Sequence, residues 1–136
     1  MTGETNLVTL LRTMQPVLQE GSYVFCSLQE PICLPPAEVL GSFREPEGLT
    51  VIIHREVADR FQLPYQFVAA WLTLQVHSSL TAVGLTAAVA QALTARHISC
   101  NVVAGYYHDH LFVDQADAVR ALTALEDLAR QAQDEQ

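Results

Sequence analysis

The sequence predicts an α+β protein whose second half holds most of a ferredoxin-like β-α-β-β-α-β unit. Three observations predict it. "FVAAWLTLQV" (67–76) alternates, with Val68, Ala70, Leu72, Leu74 and Val76 on one side and Trp71, Thr73 and Gln75 on the other, the period of a strand with one buried face. Ala82, Leu85, Val89 and Leu93 then recur at helical spacing, and the alanines between them allow close packing on a sheet. "ISCNVVA" and "DHLFV" read as two further strands, and Leu122, Leu125 and Ala129 as the stripe of a closing helix. The order strand, helix, strand, strand, helix lacks only the unit's last strand.

The elements follow in chain order. Leu7, Leu10, Leu11 and Met14 predict a short amphipathic helix over about 5–14, closed by Pro16. "SYVFCSL" (22–28) is β-branched and aromatic, hence a strand. "QEPICLPPAE" is a proline-rich loop. "VLGSF" and "LTVII" flank the turn-like "REPEG" and predict a hairpin, and "REVADRF" a helical turn ending near Pro64. His77-Ser78-Ser79 turns the long strand into its helix, with Ser78 or Ser79 as the expected N-cap, and Asp114 is the expected cap of the final helix. The polar tail "RQAQDEQ" is expected to fray. The first half begins with a helix where a strand belongs, and the second lacks its last strand. The expectation is therefore two units, 1–64 and 65–136, that share strands and complete each other's sheets.

Composition narrows the function. The 136 residues are half hydrophobic and 16% charged, which is a folded chain with a real core. No apolar run approaches the ~18 residues of a membrane span. "MTGETNLVTLLRTM" shows neither a basic start nor a small-residue cleavage site, so a cytoplasmic protein is expected. There are 15 acidic residues against 7 basic ones, all arginine, too few to neutralise a nucleic-acid backbone. Without lysine there is no Walker A loop and no lysine Schiff base. Cys26, Cys33 and Cys100 are odd in number and form no Cys-x-x-Cys, so they are expected to be buried thiols.

Three stretches carry the functional question. "HSSLTAVGLT" leads into a helix start, where unpaired N–H groups and the helix dipole favour a carboxylate, while Gly84 permits close approach. Capping and tight helix–sheet packing account for the same residues. In "SCNVVAG", Asn101 shares a strand face with Ser99 and Val103; it either meets a ligand or faces water. In "YYHDH", His108 and His110 share a face and Asp109 opposes them. A metal there needs a third or fourth ligand, for which only His77 and His54 offer further imidazoles. Catalysis there needs a nucleophile, and the one nearby thiol, Cys100, sits in a strand where burial raises its pKa. A polar hairpin turn freed by Gly105 is the simpler account.

"VHSSLTAVGLTAAVAQALTARHISCNVVAGYYHDHLFV" resembles the C-terminal half of a family of small bacterial tandem ACT-domain proteins of unassigned function. "GSYVFCSL" and "EPEGLTVII" resemble the family's N-terminal half, so the likeness spans nearly the whole chain. It is similar, too, to the arginine-sensing ACT proteins. The resemblance implies two intertwined ACT-like units with antiparallel sheets and helices on one face. It implies a regulatory protein that binds a small molecule, an amino acid first of all, at an inter-domain or inter-subunit site, with no catalysis, metal or cofactor. Carried onto this sequence, the site is His77, Ser78, Ser79, Val83, Gly84 and Leu85 with Asn101, Val102 and Val103. Glu47 in "EGLT" is the first half's counterpart or a plain turn residue. A homodimer is expected, because ACT sheets join side by side. The alternatives are an interaction or oligomerisation module with no small ligand, and a metal-dependent enzyme using His108, Asp109 and His110.

Overall fold

The computed structural model describes residues 3, 6–30 and 34–134. Its elements, in chain order, are α1 (Leu7–Thr13), β1 (Gln15–Leu18), β2 (Tyr23–Leu28), β3 (Val39–Glu45), β4 (Gly48–His54), α2 (Arg55–Arg60), β5 (Val68–Gln75), α3 (Leu85–Thr94), β6 (Cys100–Ala104), β7 (Asp109–Asp114) and α4 (Ala118–Asp134). The chain is α+β, with antiparallel pairings and helices, and divides into two compact units, one of residues 1–20 and 70–136, the other of residues 21–69. This division differs from the sequence boundary near Pro64, because α1 and β1 fold with the C-terminal residues.

In the unit of residues 21–69, β2 pairs antiparallel with β4 and β4 with β3. Val68 and Ala69, the first residues of β5, lie opposite Val24 and Tyr23 on the other edge of β2. One face of this sheet contributes Val24, Cys26, Val51 and Ile53, which α2 covers with Val57 and Ala58. Cys26 is buried here, and burial raises its thiol pKa, as expected of an inert cysteine. Pro31, Ile32 and Cys33 of the proline-rich run lie outside the described residues. The end of that run makes a three-residue 3-10 turn, Pro36–Glu38, with Pro36 at its first position, where the missing N–H costs no helical bond.

In the unit of residues 1–20 and 70–136, β5, α3, β6, β7 and α4 follow the predicted order. The missing strand is β1, which pairs antiparallel with β5, Gln15 opposite Gln75 and Leu18 opposite Leu72. Sequence reading did not find it: four residues containing Pro16 show no alternation, yet proline is tolerated where its missing N–H costs no ladder bond. β6 is the edge strand, next to β7. Leu72, Leu74, Leu93, Leu111, Val113 and Leu125 form the centre of the core between this sheet and helices α1, α3 and α4.

Two local expectations are corrected. Neither Ser78 nor Ser79 caps α3: its N-cap is Gly84, at φ 102°, with no side-chain cap bond. Ser79 Oγ instead accepts from Thr81 N at 3.2 Å, closing a turn upstream. The C-terminal run does not fray by Arg130, since α4 continues to Asp134. Ala132 is buried there, and its carbonyl accepts from Arg12 Nε at 2.9 Å. Asp114 does cap, accepting from Ala116 N at the 3-10 turn that precedes α4. Among the described residues no helix is long and apolar enough to cross a membrane.

Candidate functional site

The end of β5 and the β6–β7 turn bring two of the three predicted stretches together. His108 Nδ1 lies 3.3 Å from the carbonyl of Val76, and the His77 and Tyr107 rings are 5.3 Å apart. The loop from Val76 to Gly84 and the turn from Gly105 to His108 therefore share one end of the unit. Gly105 N donates to His108 O, and a Cβ on Gly105 would stand 2.8 Å from that carbonyl, so the turn needs a glycine. Gly84 is needed too: its φ is left-handed, and a Cβ would meet Leu7 Cδ2 at 3.1 Å.

The nine predicted binding residues divide by orientation. His77, Ser78 and Ser79 are half-buried along the loop, Val83 is exposed, and Gly84 begins α3. Leu85 sends its side chain into the core, leaving only its backbone available at the helix start. Asn101 and Val103 point away from the helices, whereas Val102 packs against the helix-side core. Asn101 Nδ2 approaches Phe112 O at 3.5 Å, across its own register pair. Asn101 sits three residues, about 10 Å of strand rise, from Ala104 at the turn end of β6. The loop and the middle of β6 thus offer two separate contact points. Glu47 is exposed in the β3–β4 turn.

His110 is held by a network that sequence reading missed. Trp71 Nε1 donates to its Nδ1 at 3.1 Å, and Thr73 Oγ1 lies 3.1 Å from the same nitrogen. Thr73 in turn accepts from Gln19 Nε2 at 3.0 Å. The indole can only donate, so Nδ1 must be unprotonated and the ring neutral. Burial holds the His110 pKa below the usual histidine value, the charge of His108 acts the same way, and Asp109 opposes both. Burial pushes the Asp109 carboxyl up, against the pull of His110 and His108. The one signal available in sequence was the shared strand face of Trp71 and Thr73; the register that sets His110 beside them was not readable. Cys100 is half-buried, with its thiol pKa raised by burial. Among the described residues, no three His, Cys, Asp or Glu side chains group to hold a metal.

A cleft of about 180 Å³ between α3 and α4, lined by Ala92, Ala95, Ala124 and Leu128 with the Arg96–Asp127 pair, contains none of the predicted residues.

Two ferredoxin-like halves with a strand-to-helix loop beside an edge strand define a class of regulatory fold, and the comparisons agree. Residues 2–70 and 66–127 each match an ACT domain model. The chain belongs to the ACT-domain family and carries two such domains in tandem. It is 44% identical to a Vibrio cholerae protein of unknown function described as a possible transport protein, with a TM-score of 0.79 over 90% of this chain and 95% of that one. An Agrobacterium tumefaciens protein is 18% identical, with a TM-score of 0.63 over 85% and 89%. The regulatory subunit of aspartate kinase from Thermus flavus is 9% identical, with a TM-score of 0.60 over 83% and 95%. The last two share the fold. Among curated proteins, none matches the chain.

Proposed function

We propose that this protein is a cytoplasmic, non-catalytic regulatory protein that binds a small molecule, an amino acid, through its second ACT domain. The observation that carries the reading is the start of α3. Gly84 offers no side-chain cap, so the first N–H groups of a ten-residue helix are left for a ligand carboxylate. Membership of a family of regulatory folds and the likeness to an aspartate kinase regulatory subunit support it. The carboxylate lies along Ser79 to Leu85, approached by His77, Ser78 and Val83. The amine is held by outward carbonyls of the edge strand from Asn101 through Val102 to Val103, with the Asn101 side chain adding a contact. These groups bracket a ligand best at an interface between subunits, and a homodimer provides one. Binding then shifts the population of that interface, which is the regulatory output.

Thermal denaturation in the presence of each of the twenty amino acids at millimolar concentration tests this. A specific ligand raises the melting temperature by mass action, and Asn101→Ala lowers that rise. If none of the twenty moves the melting temperature, the amino-acid reading fails. The rival reading, an interaction module with no small ligand, is favoured by the exposed apolar side chains around the same loop.

A further inference from the structure

The chain ahead of α1 and the start of α1 itself lie against the loop from Val76 to Gly84. A Cβ on Gly3 would stand 2.6 Å from Ser78 C and 2.8 Å from Ser79 Cα, closer than a real Cβ comes, so the Gly3 backbone packs directly on the loop backbone. Leu7 covers the other end of the loop: a Cβ on Gly84 would meet Leu7 Cδ2 at 3.1 Å. The two contacts are not held equally. α1 is tied to α4 at its far end, where Arg12 Nε donates to Ala132 O and Gln133 Nε2 donates to Arg12 O, both at 2.9 Å. Asn6 caps its near end, accepting from Thr9 N at 3.0 Å. Leu7 is therefore fixed with its helix. Gly3 lies outside the cap and has no side chain to anchor it, so it can leave the loop while α1 stays folded.

We infer that Gly3 makes an autoinhibitory contact, holding the β5–α3 loop closed until a ligand displaces it. The inference deepens the binding reading above and rests on it. That reading lays a ligand carboxylate along Ser79 to Leu85, and the Gly3 backbone stands against Ser79, the first residue of that run. A ligand and Gly3 cannot share the place. Closure then lowers the apparent affinity by the fraction of molecules in which the loop is open. The regulated element is the loop backbone, and the competitor is a segment of the same chain.

Hydrogen exchange and thermal denaturation of the full chain test it together. Gly3→Val puts a branched side chain where there is no room for a Cβ, and it changes no core residue, so the contact opens and the fold is kept. Amides of residues 78–85 should then exchange at least about tenfold faster than in the wild type, and those of α4 at the wild-type rate. Gly41→Ala, whose Cβ would meet only Ile52 Cδ1 at 3.6 Å, should leave the loop's exchange unchanged. The twenty amino acids, each at millimolar concentration, are the probes of binding. Any that raises the melting temperature should raise it more in Gly3→Val, where a larger fraction of molecules is open. Loop exchange at the wild-type rate in Gly3→Val overturns the hold of Gly3 on the loop. Faster exchange without a larger rise overturns the competition with a ligand. If no amino acid moves either protein, the amino-acid reading falls, and faster exchange still supports the hold of Gly3 on the loop.

Discussion

The two halves of the chain solve the same topological problem with different turns. In the second half β5 runs through a nine-residue uncharged loop, Val76 to Gly84, into the ten-residue helix α3. In the first half β2 leads toward Pro35 and Pro36 and a 3-10 turn of three residues. The hairpins differ in the same sense: Pro46 and Glu47 form a tight turn between β3 and β4, while Gly105 to His108 forms a wider aromatic one between β6 and β7. The duplicated architecture is kept, and only the second half's connection leads into a helix as long as α3. That asymmetry is why the binding proposal falls on the second half.

The largest expected effects come from the two cores. Leu125 on the seventeen-residue α4 is fully buried, and Leu125→Ala should cost about 3 kcal/mol, the typical loss for a truncated core leucine. Val57 sits on the six-residue α2, and Val57→Ala removes two carbons, for roughly half that loss. Urea unfolding of each variant measures both. Equal losses would break the contrast between a long helix over a large core and a short one over a small core.

The glycines at the two hairpins come next. Gly48 has φ 152°, and a Cβ there would stand 2.9 Å from Leu28 O; at Gly105 it would stand 2.8 Å from His108 O. Each Gly→Ala substitution should cost about 1–2 kcal/mol, a strained backbone at the first and a backbone collision at the second. Only Gly105→Ala should also lower the response to a ligand, because only that turn meets the Val76–Gly84 loop, through Tyr107 and His108. Thermal denaturation of both variants with and without a ligand found among the twenty amino acids decides it.

What the sequence revealed follows the same division. Long elements with clean periodicity, such as β5 and α3, were legible because each buries a stripe against the core, and the β3–β4 hairpin was legible from its turn residues. β1 was not, since four residues with a proline hold no period, and its role is set by Leu72 to Gln75 on a strand far away in sequence. The candidate loop was legible as a helix start, but its cap was misplaced: two serines offered obvious oxygens, and Gly84 took the position through its left-handed φ. The His110 network depends on cross-strand register, which one chain's sequence does not encode locally.

A pH response of the second hairpin is the next smaller effect. The folded protein holds the His110 pKa down, so as pH falls the unfolded chain takes up its proton first, near ~6.5. Stability conferred by the neutral ring is therefore complete above about pH 6.5 and is lost as pH falls toward the folded pKa. Asp109 acts oppositely and at lower pH, because its raised folded pKa lets the folded state take up a proton before the unfolded chain does. The melting temperature should fall by a few degrees between about pH 7 and pH 5.5, and His110→Gln should flatten that fall. Trp71 is the only tryptophan and donates to His110, so its fluorescence should change over the same range. A slope unchanged in His110→Gln would place the pH response elsewhere.

The smallest effect concerns a feature the halves share. Both α2 and α3 end in a Schellman motif. Leu63 N donates to Ala58 O at 2.8 Å and Gln62 N to Asp59 O at 3.1 Å; Ile98 N donates to Leu93 O at 3.0 Å and His97 N to Thr94 O at 2.9 Å. In both, the left-handed residue is not glycine: Gln62 has φ 56° and His97 φ 59°. The left-handed conformation costs a residue with a Cβ roughly 1–2 kcal/mol, and glycine gives back roughly half through its freer unfolded chain. Gln62→Gly and His97→Gly should therefore each stabilise the protein by about 0.5 kcal/mol, read as a higher urea midpoint at unchanged slope. Neither side chain takes part in the proposed binding loop, so ligand response should be unaffected. If His97→Gly destabilises while Gln62→Gly does not, the imidazole itself supports the chain's entry into β6, and the second half has diverged at its helix end as well as at its helix start.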